Sequence, residues 1–232
     1  MQHSVIIPAY NEQSTIETAV LKTLTTLQAL PGEFEIIVVD DGSTDKTARI
    51  VKTLQDKHIK LITLPHNQGK GAAIQKGVQE AKGNYIAFLD ADLATHPEEL
   101  KRAFSLLHDH DLAIASRRIT GATIQKPQAW YRSLAGQVFN LILRTYLHLP
   151  YRDTQCGCKA FRYDAAKALF ANLVSTGWAF DVDLLSQAQQ KNLRITEFPI
   201  TWNNGPTSRV KWSHAGDILK ELRKIKHVTR NT

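Results

Sequence analysis

Short apolar runs rich in β-branched residues alternate with segments of helical periodicity, and this alternation constrains the fold more than any other feature of the chain. The strand-like runs are residues 4–7, 35–39, 59–64, 85–89 and 112–115. Helical spacing is found over residues 14–30, 47–57, 71–82 and 97–108. The pattern predicts an α/β fold in which a mostly parallel sheet is covered by helices on both faces.

The second half of the chain is less regular. Residues 130–149 form a long apolar and aromatic segment with helical spacing, and residues 194–200 are strand-like. Further helices are predicted over 164–173, 181–191 and 215–228, and Ser14 followed by Glu17 predicts a capping box at the start of the first helix. Because no repeat, low-complexity tract or linker divides the chain, we predict one domain over residues 1–232.

Four polar motifs directly follow predicted strands. They are Pro8-Ala9-Tyr10-Asn11-Glu12, Asp40-Asp41-Gly42-Ser43-Thr44-Asp45, Asn67-Gln68-Gly69-Lys70-Gly71 and Asp90-Ala91-Asp92. Each alone could be ordinary turn or helix-cap chemistry, for which Asn, Asp, Gly and Ser are the expected residues. In an open α/β sheet, however, ligands bind beyond the carboxyl ends of the strands. The four motifs together therefore predict a binding site at that edge.

The last motif places two carboxylates, Asp90 and Asp92, one residue apart at the end of an apolar strand. Alternate residues at a strand end can converge on one ion, and carboxylates suit a hard divalent cation. Such an ion needs an anionic partner, and a nucleoside diphosphate is the obvious one. The pair therefore predicts a site for Mg²⁺ or Mn²⁺.

The composition limits the classes of partner. The 232 residues are 43% hydrophobic and carry a net charge of +7, which favours nucleotides, nucleic acid or an anionic membrane surface. No run approaches the roughly 18 apolar residues of a membrane span, and the start of the chain predicts no signal peptide. Cys156 and Cys158 are spaced poorly for a disulfide, which favours a reducing, cytoplasmic compartment.

Other kinds of site fit the sequence poorly. Lys70 lies in a glycine-rich turn, but the P-loop pattern fails because neither Ser nor Thr follows the lysine. The two cysteines lack the spacing of a zinc knuckle, and no nucleic-acid recognition motif accompanies the positive charge. A nucleotidyltransferase would need a loop rich in glycine and arginine where residues 8–12 stand.

In their order and spacing, PAYNE, VVDDGSTD, NQGKGAA and DAD resemble the nucleotide-sugar-binding half of glycosyltransferase family 2, with its Rossmann-like GT-A fold. This resemblance covers roughly residues 4–120. In the second half, DTQCGCKAFR and WAFDVDLL resemble segments of dolichyl- and polyprenyl-phosphate β-glucosyltransferases, with Cys158 where that family usually has Phe. The resemblance implies a donor-binding half over 1–120 and an acceptor-side half with a helical elaboration over 121–232.

The resemblance also implies which residues bind the donor. Those expected to line or support the nucleotide pocket are Pro8, Tyr10, Glu12, Asp40 and Asp41. A carboxylate in that pocket can accept a hydrogen bond from the imide of uracil, which favours a uridine donor. Lys70 and Ala91 would lie near the nucleotide sugar, Asp92 would contact the metal directly, and Asp90 would touch the metal or the ribose.

On the acceptor side, the resemblance implies cations for two phosphate groups. Arg117, Arg132 and Lys159 would hold the acceptor phosphate, and Arg209, in a flexible loop of the family, would close over the diphosphate. Arginine suits this task because its planar fork pairs bidentately with phosphate oxygens. The candidate bases or sugar-hydroxyl ligands are Asp153, Asp181 and Asp183. The last two could equally be a helix N-cap and a first-turn acid.

The implied reaction is attack by an isoprenoid phosphate oxygen on the anomeric carbon of a nucleotide sugar, with inversion. UDP-glucose is the predicted donor, GDP-mannose is the nearest alternative, and a non-enzymatic nucleotide-sugar-binding protein is the third hypothesis. We expect a cytoplasmic protein on the cytoplasmic face of a membrane, held by residues 130–149 and the basic C-terminal segment or by a membrane-anchored partner subunit. A buried core helix is the alternative interpretation of residues 130–149.

Overall fold

Nine strands and eight helices are found in the computed structural model, which describes residues 1–126, 130–177, 179–203 and 215–230. The strands are β1 (His3–Ala9), β2 (Phe34–Asp40), β3 (Ile59–Thr63), β4 (Tyr85–Leu89), β5 (Leu112–Ser116), β6 (Thr123–Lys126), β7 (Cys158–Arg162), β8 (Ile195–Pro199) and β9 (Thr201–Asn203). The helices are α1 (Ile16–Gln28), α2 (Thr47–Thr53), α3 (Lys70–Glu80), α4 (Glu99–Leu106), α5 (Trp130–Leu147), α6 (Tyr163–Ala171), α7 (Phe180–Gln190) and α8 (Ala215–Arg230).

Seven of the strands form one sheet in the order β3-β2-β1-β4-β7-β5-β8. Within the part of the chain that the structure describes, β7 is the one strand of this sheet that runs antiparallel to its neighbours. Strands β6 and β9 pair separately, as a small parallel sheet of two. The predicted α/β fold with a mostly parallel sheet is thus confirmed.

Helices cover both faces of the large sheet, as predicted. Along β1 successive side chains point to opposite faces, so that Val5 and Ile7 pack in one buried cluster and Ile6 packs in the other. The Val5 side is covered by α1 and α4, and the Ile6 side by α3, α6 and α7. Burial on both faces explains why these strands are continuous apolar runs rather than alternating ones.

The helix predicted over residues 130–149 is α5, which ends at Leu147. It supplies Leu143 and Leu147 to the same core cluster as Ile6, and α8 supplies Leu222 and Ile225. Among helices of the described residues, none has both the length and the hydropathy needed to cross a membrane. Cys156 and Cys158 are free and buried, in agreement with the expectation that they do not form a disulfide.

Two details of the sequence prediction are wrong. Helix α1 begins at Ile16 with Thr15 as its N-cap residue, and no capping side-chain hydrogen bond is present there, so the Ser14–Glu17 capping box does not form. The helix instead starts from a turn in which the backbone N–H groups of Thr15 and Ile16 both donate to the Glu12 carbonyl. Strand β7 was also missed, because a strand that contains Lys159 and ends at Arg162 lacks the apolar pattern of a buried strand.

Candidate functional site

The order of the strands reverses at β1, which lies between β2 on one side and β4 on the other. In open α/β sheets this reversal opens a crevice beyond the carboxyl ends of the strands, where ligands bind. The four polar motifs follow β1, β2, β3 and β4, and the structure brings them into contact with one another through the hydrogen bonds described below.

The first two motifs are joined by Asn11. Its backbone N–H donates to Ser43 Oγ at 2.9 Å, and its side-chain Oδ1 accepts from the Thr44 N–H at 2.9 Å. Asn11 has a φ of 53°, a left-handed conformation that Asn tolerates better than most residues. Next to it, the Glu12 N–H donates to Thr47 Oγ1 at 2.8 Å. These contacts hold the loop after β1 against the loop after β2.

Asp41 joins the second motif to the third. Its Oδ1 accepts from the Gln68 N–H at 2.8 Å and its Oδ2 accepts from the Gly69 N–H at 2.9 Å. The side chain is buried, and burial raises the pKa of Asp41 although the two backbone donors oppose the rise. Asp40 is also buried and accepts from the Ser43 N–H at 3.3 Å. Both carboxylates thus shape the loops beside the crevice.

Lys70 joins the third motif to the fourth. It is the first residue of α3, and its Nζ lies 2.6 Å from Asp90 Oδ1. The ammonium also lies over the rings of Phe88 and Phe180, at 5.8 and 5.7 Å from their centroids. Burial lowers the pKa of Lys70, but the carboxylates of Asp90 and Asp181 outweigh it and the net pKa is raised. The lysine is therefore a fixed positive charge at the crevice.

Gly157, from the segment that follows α5, packs against the same aspartate. A Cβ atom added to Gly157 would lie 2.1 Å from Asp90 Oδ2, and the Gly157 carbonyl accepts a hydrogen bond from the Asp90 N–H at 3.0 Å. No side chain other than hydrogen fits between the two residues. The segment after α5 therefore sets the position of the carboxylate that follows β4.

Asp90 and Asp92 are the residues that fit a divalent cation. Both are partly exposed, and Asp92 Oδ1 accepts from the Ala94 N–H at 2.9 Å. Over residues 1–126, 130–177, 179–203 and 215–230, no group of three or more His, Cys, Asp or Glu side chains could hold a metal. Two carboxylates with neighbouring phosphates and waters are a typical environment for Mg²⁺. The pair thus fits a metal that arrives with a diphosphate.

A second charged centre is formed by Arg117 and Asp153. Arg117 Nε and Nη2 donate to the two carboxylate oxygens of Asp153 at 2.7 and 2.9 Å, and the Arg117 backbone N–H also donates to Oδ2 at 2.9 Å. The Arg117 guanidinium also stacks near Trp202, 5.4 Å from its ring centroid. Burial raises the pKa of Asp153, but Arg117 outweighs burial and the net pKa is lowered, so Asp153 is ionised and a weak base.

Lys159 forms a buried ion pair. Its side chain is fully buried, and Nζ donates to Asp181 Oδ1 at 2.5 Å and to the Cys156 carbonyl at 3.0 Å. Burial raises the pKa of Asp181 in spite of the neighbouring Lys159 and Lys70. This pairing explains how a lysine can be buried within an inner strand of the sheet. Contact of Lys159 with an acceptor phosphate, or of Asp181 with a sugar, stays a prediction.

Asp183 binds backbone rather than facing the other charged groups. Its Oδ2 accepts from the N–H groups of Val174 and Ser175 at 2.6 and 2.9 Å, and its Oδ1 accepts from Gln187 Nε2 at 2.9 Å. Burial raises the pKa of Asp183, whereas these three donors lower it. The carboxylate stabilises the turn that precedes α7, and its role toward substrate stays a prediction.

Of the remaining predicted site residues, the structure describes four and leaves two wholly or partly undescribed. Tyr10 is 36% exposed at the end of β1, whereas Glu12 and Ala91 are buried. Pro8 pairs with Val39 in the β1–β2 ladder. Arg209 and the side chain of Arg132 lie outside the described residues, as do residues 127–129, 178, 204–214 and 231–232.

The structure adds residues that the sequence analysis did not assign to the site. Glu221 of α8 accepts from Ser175 Oγ and from the Ala179 N–H at 2.9 and 3.1 Å. In the same loop, the Thr176 carbonyl lies against Gly69, where an added Cβ would come within 2.7 Å of its oxygen. Helix α8 is thus connected through one loop to the turn that carries Lys70. No local pattern in the sequence marks this contact.

Comparison with protein families shows a match to the family model described as "Glycosyl transferase family 2" over residues 4–170. Glycosyltransferase AglD of Haloferax volcanii is 33% identical over 93% of the chain, which spans only 35% of that protein. Dolichyl-phosphate β-glucosyltransferase of Dictyostelium discoideum is 30% identical, covering 96% of the chain and 73% of the relative. The human enzyme of the same name is 31% identical, with 96% and 75% covered.

Solved structures resemble the whole fold. Glucosyl-3-phosphoglycerate synthase from Mycobacterium tuberculosis, in complex with Mn²⁺, UDP and glucosyl-3-phosphoglycerate, superposes with a TM-score of 0.68 over 98% of this chain and 79% of that chain, at 20% identity. Its complex with Mg²⁺ and UDP gives a TM-score of 0.70 at 18% identity, with 98% and 79% covered. At these identities the likeness establishes the fold, which confirms the expected GT-A architecture.

Proposed function

The chain belongs to glycosyl transferase family 2, and from that premise we propose that it transfers a sugar from a nucleoside diphosphate to the phosphate of a dolichyl or other polyprenyl lipid. Relatives named dolichyl-phosphate β-glucosyltransferase, at 30 and 31% identity over 96% of the chain, support this acceptor. UDP-glucose is the proposed donor, and GDP-mannose is the alternative. The family match also confirms the resemblance found from the four motifs.

The observation that carries the proposal is the contact of Asp90 with both halves of the chain. Lys70 reaches it from the donor-side motifs at 2.6 Å, and Gly157 reaches it from the DTQCGCK segment with no room for a side chain. A donor diphosphate at Asp90 would therefore lie beside the acceptor-side residues. This arrangement is what transfer between two bound phosphate compounds requires.

The donor site is proposed to consist of the residues at the β1–β4 crevice. We assign Tyr10, Glu12 and Asp41 to the nucleotide pocket, with Pro8 and Asp40 shaping it. Lys70 would face the diphosphate, where its fixed positive charge offsets developing negative charge on the leaving group. Bound at Asp90 and Asp92, a divalent cation would supply further neutralisation of that charge.

The acceptor needs little help from a general base. A phosphate monoester has a second pKa near ~6 and is largely dianionic at neutral pH, so its oxygen is already nucleophilic. It does need positive charge to approach a second anion, and we assign this task to Arg117, with Arg132 and Arg209 as further candidates. A guanidinium has five N–H donors, and the Asp153 side chain takes two of those on Arg117, so the others can bind phosphate.

Asp153 then acts as a positioning residue for Arg117, and the buried Lys159–Asp181 pair would position the groups around Lys70. In-line displacement at the anomeric carbon inverts its configuration, so an α-linked donor would yield a β-linked lipid phosphate.

Because the acceptor's hydrocarbon tail stays in lipid, we also propose that the protein acts at the cytoplasmic face of a membrane, alone or with a membrane-anchored partner subunit.

The decisive experiment incubates the purified chain with a polyprenyl phosphate, Mg²⁺ or Mn²⁺, and a panel of radiolabelled nucleotide sugars. We expect transfer to the lipid from UDP-glucose, with a β linkage in the product by NMR. Transfer from GDP-mannose but not from UDP-glucose would change the proposed donor and leave the proposed reaction unchanged. Donor binding without transfer to any acceptor would overturn the enzymatic proposal and favour a nucleotide-sugar-binding protein.

A further inference from the structure

Helix α5 has one buried face and one exposed apolar face. Leu143 and Leu147 are buried against the core. On the other side, a stripe of four large apolar side chains is 48–60% exposed; we call it the α5 stripe, and it consists of Leu134, Val138, Leu141 and Ile142. Residues spaced by three, four and seven positions share one face of a helix. The buried face agrees with the core-helix interpretation of residues 130–149, and the exposed face leaves the membrane-interface interpretation a prediction.

The exposure of the α5 stripe is unusual for a surface in water. Single exposed apolar residues are ordinary, but a contiguous patch of them marks an interaction site. By length and spacing the stripe extends from 134 to 142, a rise of about 12 Å along the helix axis. Such a patch needs a partner that is itself apolar.

The charge of the chain segment that contains the α5 stripe indicates what that partner is. Residues 117–152 include six cations and no Asp or Glu; the cations are Arg117, Arg118, Lys126, Arg132, Arg144 and Arg152. Elsewhere the chain mixes both signs, with 29 Lys and Arg against 22 Asp and Glu overall. An apolar helix face within a purely basic segment matches a helix that lies in the plane of a bilayer with anionic headgroups.

The α5 stripe also lies on the element that adjoins the acceptor side of the site. Asn140, on α5, is within hydrogen-bond distance of Thr154 Oγ1, at 3.2 Å, next to the Asp153 that holds Arg117. Gly136 faces Arg118, whose Nη2 would be 4.0 Å from a Cβ added to the glycine. Asn140 is buried, on the side of α5 opposite the stripe, so a surface bound to the α5 stripe would lie one helix diameter, about 10 Å, from the Arg117 centre.

We propose that the α5 stripe is a docking surface for an anionic lipid bilayer, with its apolar side chains inserted among the acyl chains and the basic charge of residues 117–152 attracted to the headgroups. This inference rests on the proposed function, because that function gives the site an acceptor that is carried by a lipid. It deepens that function by assigning membrane contact to particular residues. The bilayer would bring the acceptor's phosphate to headgroup level within about one helix diameter of Arg117.

The test measures binding to vesicles in the absence of donor and metal. The purified chain is sedimented with phosphatidylcholine vesicles that contain about 30 mol% phosphatidylglycerol, and with pure phosphatidylcholine vesicles as the neutral comparison. We expect binding to the anionic vesicles that weakens as salt is raised. The double variant Leu141→Gln/Ile142→Gln should lower the partition coefficient roughly tenfold or more, because it removes two apolar side chains without changing charge.

The matched control is Leu21→Gln, which alters a 43% exposed leucine on α1 and should leave vesicle binding unchanged. Arg152→Gln, at an exposed cation, should weaken binding to anionic vesicles without affecting the neutral ones. Absence of binding to anionic vesicles, or equal binding by the double variant, would overturn the proposal. So would a concentration-dependent dimer that the double variant abolishes, since a second copy would then cover the α5 stripe.

An activity assay separates failure of this inference from failure of the proposed function. A short-chain isoprenyl phosphate dissolved in water needs no bilayer, so the double variant should transfer sugar to it as fast as the unaltered protein. Transfer to a long polyprenyl phosphate in anionic vesicles should fall by the same factor as vesicle binding. If the unaltered protein transfers sugar to neither acceptor, the proposed function is wrong. If the double variant transfers sugar to both acceptors as fast as the unaltered protein does, the α5 stripe is not a membrane-docking surface.

Discussion

Lys70 Nζ lies 2.6 Å from Asp90 Oδ1, although the two residues follow different strands and belong to different motifs. The phenyl rings of Phe88 and Phe180 border the ammonium, at 5.8 and 5.7 Å from their centroids. A lysine held in this way competes with a cation for Asp90 and attracts an anion to the same place. Both consequences can be measured.

Lys70→Met removes the positive charge beside Asp90 and Asp92. We expect Mn²⁺ alone to bind roughly tenfold more tightly, because the carboxylates lose a neighbouring cation, and UDP with Mn²⁺ to bind more weakly. Calorimetry and Mn²⁺ electron paramagnetic resonance would measure the two affinities. Lys76→Met is the control, since that lysine pairs with Glu80 within α3 at 3.0 Å. Unchanged affinities in Lys70→Met would contradict the assigned role.

Asp92→Asn should abolish sugar transfer while leaving the fold intact. The amide oxygen can still accept the hydrogen bond that the Ala94 N–H donates to Asp92 Oδ1 at 2.9 Å, but the charge for the metal is gone. We expect turnover to fall by at least about a hundredfold, with an unchanged melting temperature by calorimetry. If the variant keeps full activity, the metal is held by other groups.

Gly157→Ala should disturb the site without unfolding the protein. The new Cβ would lie 2.1 Å from Asp90 Oδ2, so the carboxylate must move. We expect affinity for UDP with Mn²⁺ to fall about tenfold or more, as small displacements of positioning groups have large effects. Gly136→Ala on α5 is the control, since its nearest neighbour would be Arg118 Nη2 at 4.0 Å. Equal nucleotide affinity in Gly157→Ala and the unaltered chain would refute the contact.

Glu221→Ala removes the acceptor of two hydrogen bonds, from Ser175 Oγ and the Ala179 N–H. We expect the free energy of unfolding to fall by about 1–3 kcal/mol, because these donors lose their partner. The KM for the donor should rise as well, since the same loop packs against the turn at Gly69. Urea denaturation and steady-state kinetics would measure both. Lys224→Ala, at an exposed position of the same helix, should change neither quantity.

Asp153→Asn should reveal the ion pair through its pH dependence. Because Arg117 lowers the pKa of Asp153 below its ordinary 3.8 despite burial, ionised Asp153 contributes stability above about pH 4 and loses it as the pH falls through the folded-state pKa. We expect the variant to be about 3 kcal/mol less stable at pH 7.

The difference in unfolding free energy between this variant and the unaltered chain should shrink steadily below pH 4, as Asp153 of the unaltered chain becomes neutral like the asparagine of the variant. Of the ionisable groups near Asp153, Arg118 and Cys156 do not titrate in this range, since burial raises the pKa of Cys156 to about 11. Glu197, which accepts from the Asp153 N–H at 3.1 Å, is present in both proteins and does not create the difference between them. Urea titrations between pH 3 and 7 would measure the difference. A difference that stays constant across that range would mean that the pair does not stabilise the fold.

Two of the strands that the sequence predicts well are buried along most of their length. Residues 85–89 form β4 with the predicted bounds, and residues 35–39 lie within β2, because two-sided burial requires a continuous apolar run. Strand β7 escaped prediction because Lys159 interrupts its apolar pattern, and the partner that makes this burial tolerable, Asp181, lies on α7. A local pattern contains no information about a partner so far along the chain.

For the site, the side chains that stand at the ends of the parallel strands could be predicted from the chain alone, because the alternation of strand and helix places those ends at one edge of the sheet. The tertiary structure alone decided which of them meet: Lys70 with Asp90, Arg117 with Asp153, and Gly157 against Asp90. It also divided α5 into a buried face and an exposed one. These outcomes depend on the strand order and on packing between distant segments, which the periodicity of a single segment cannot encode.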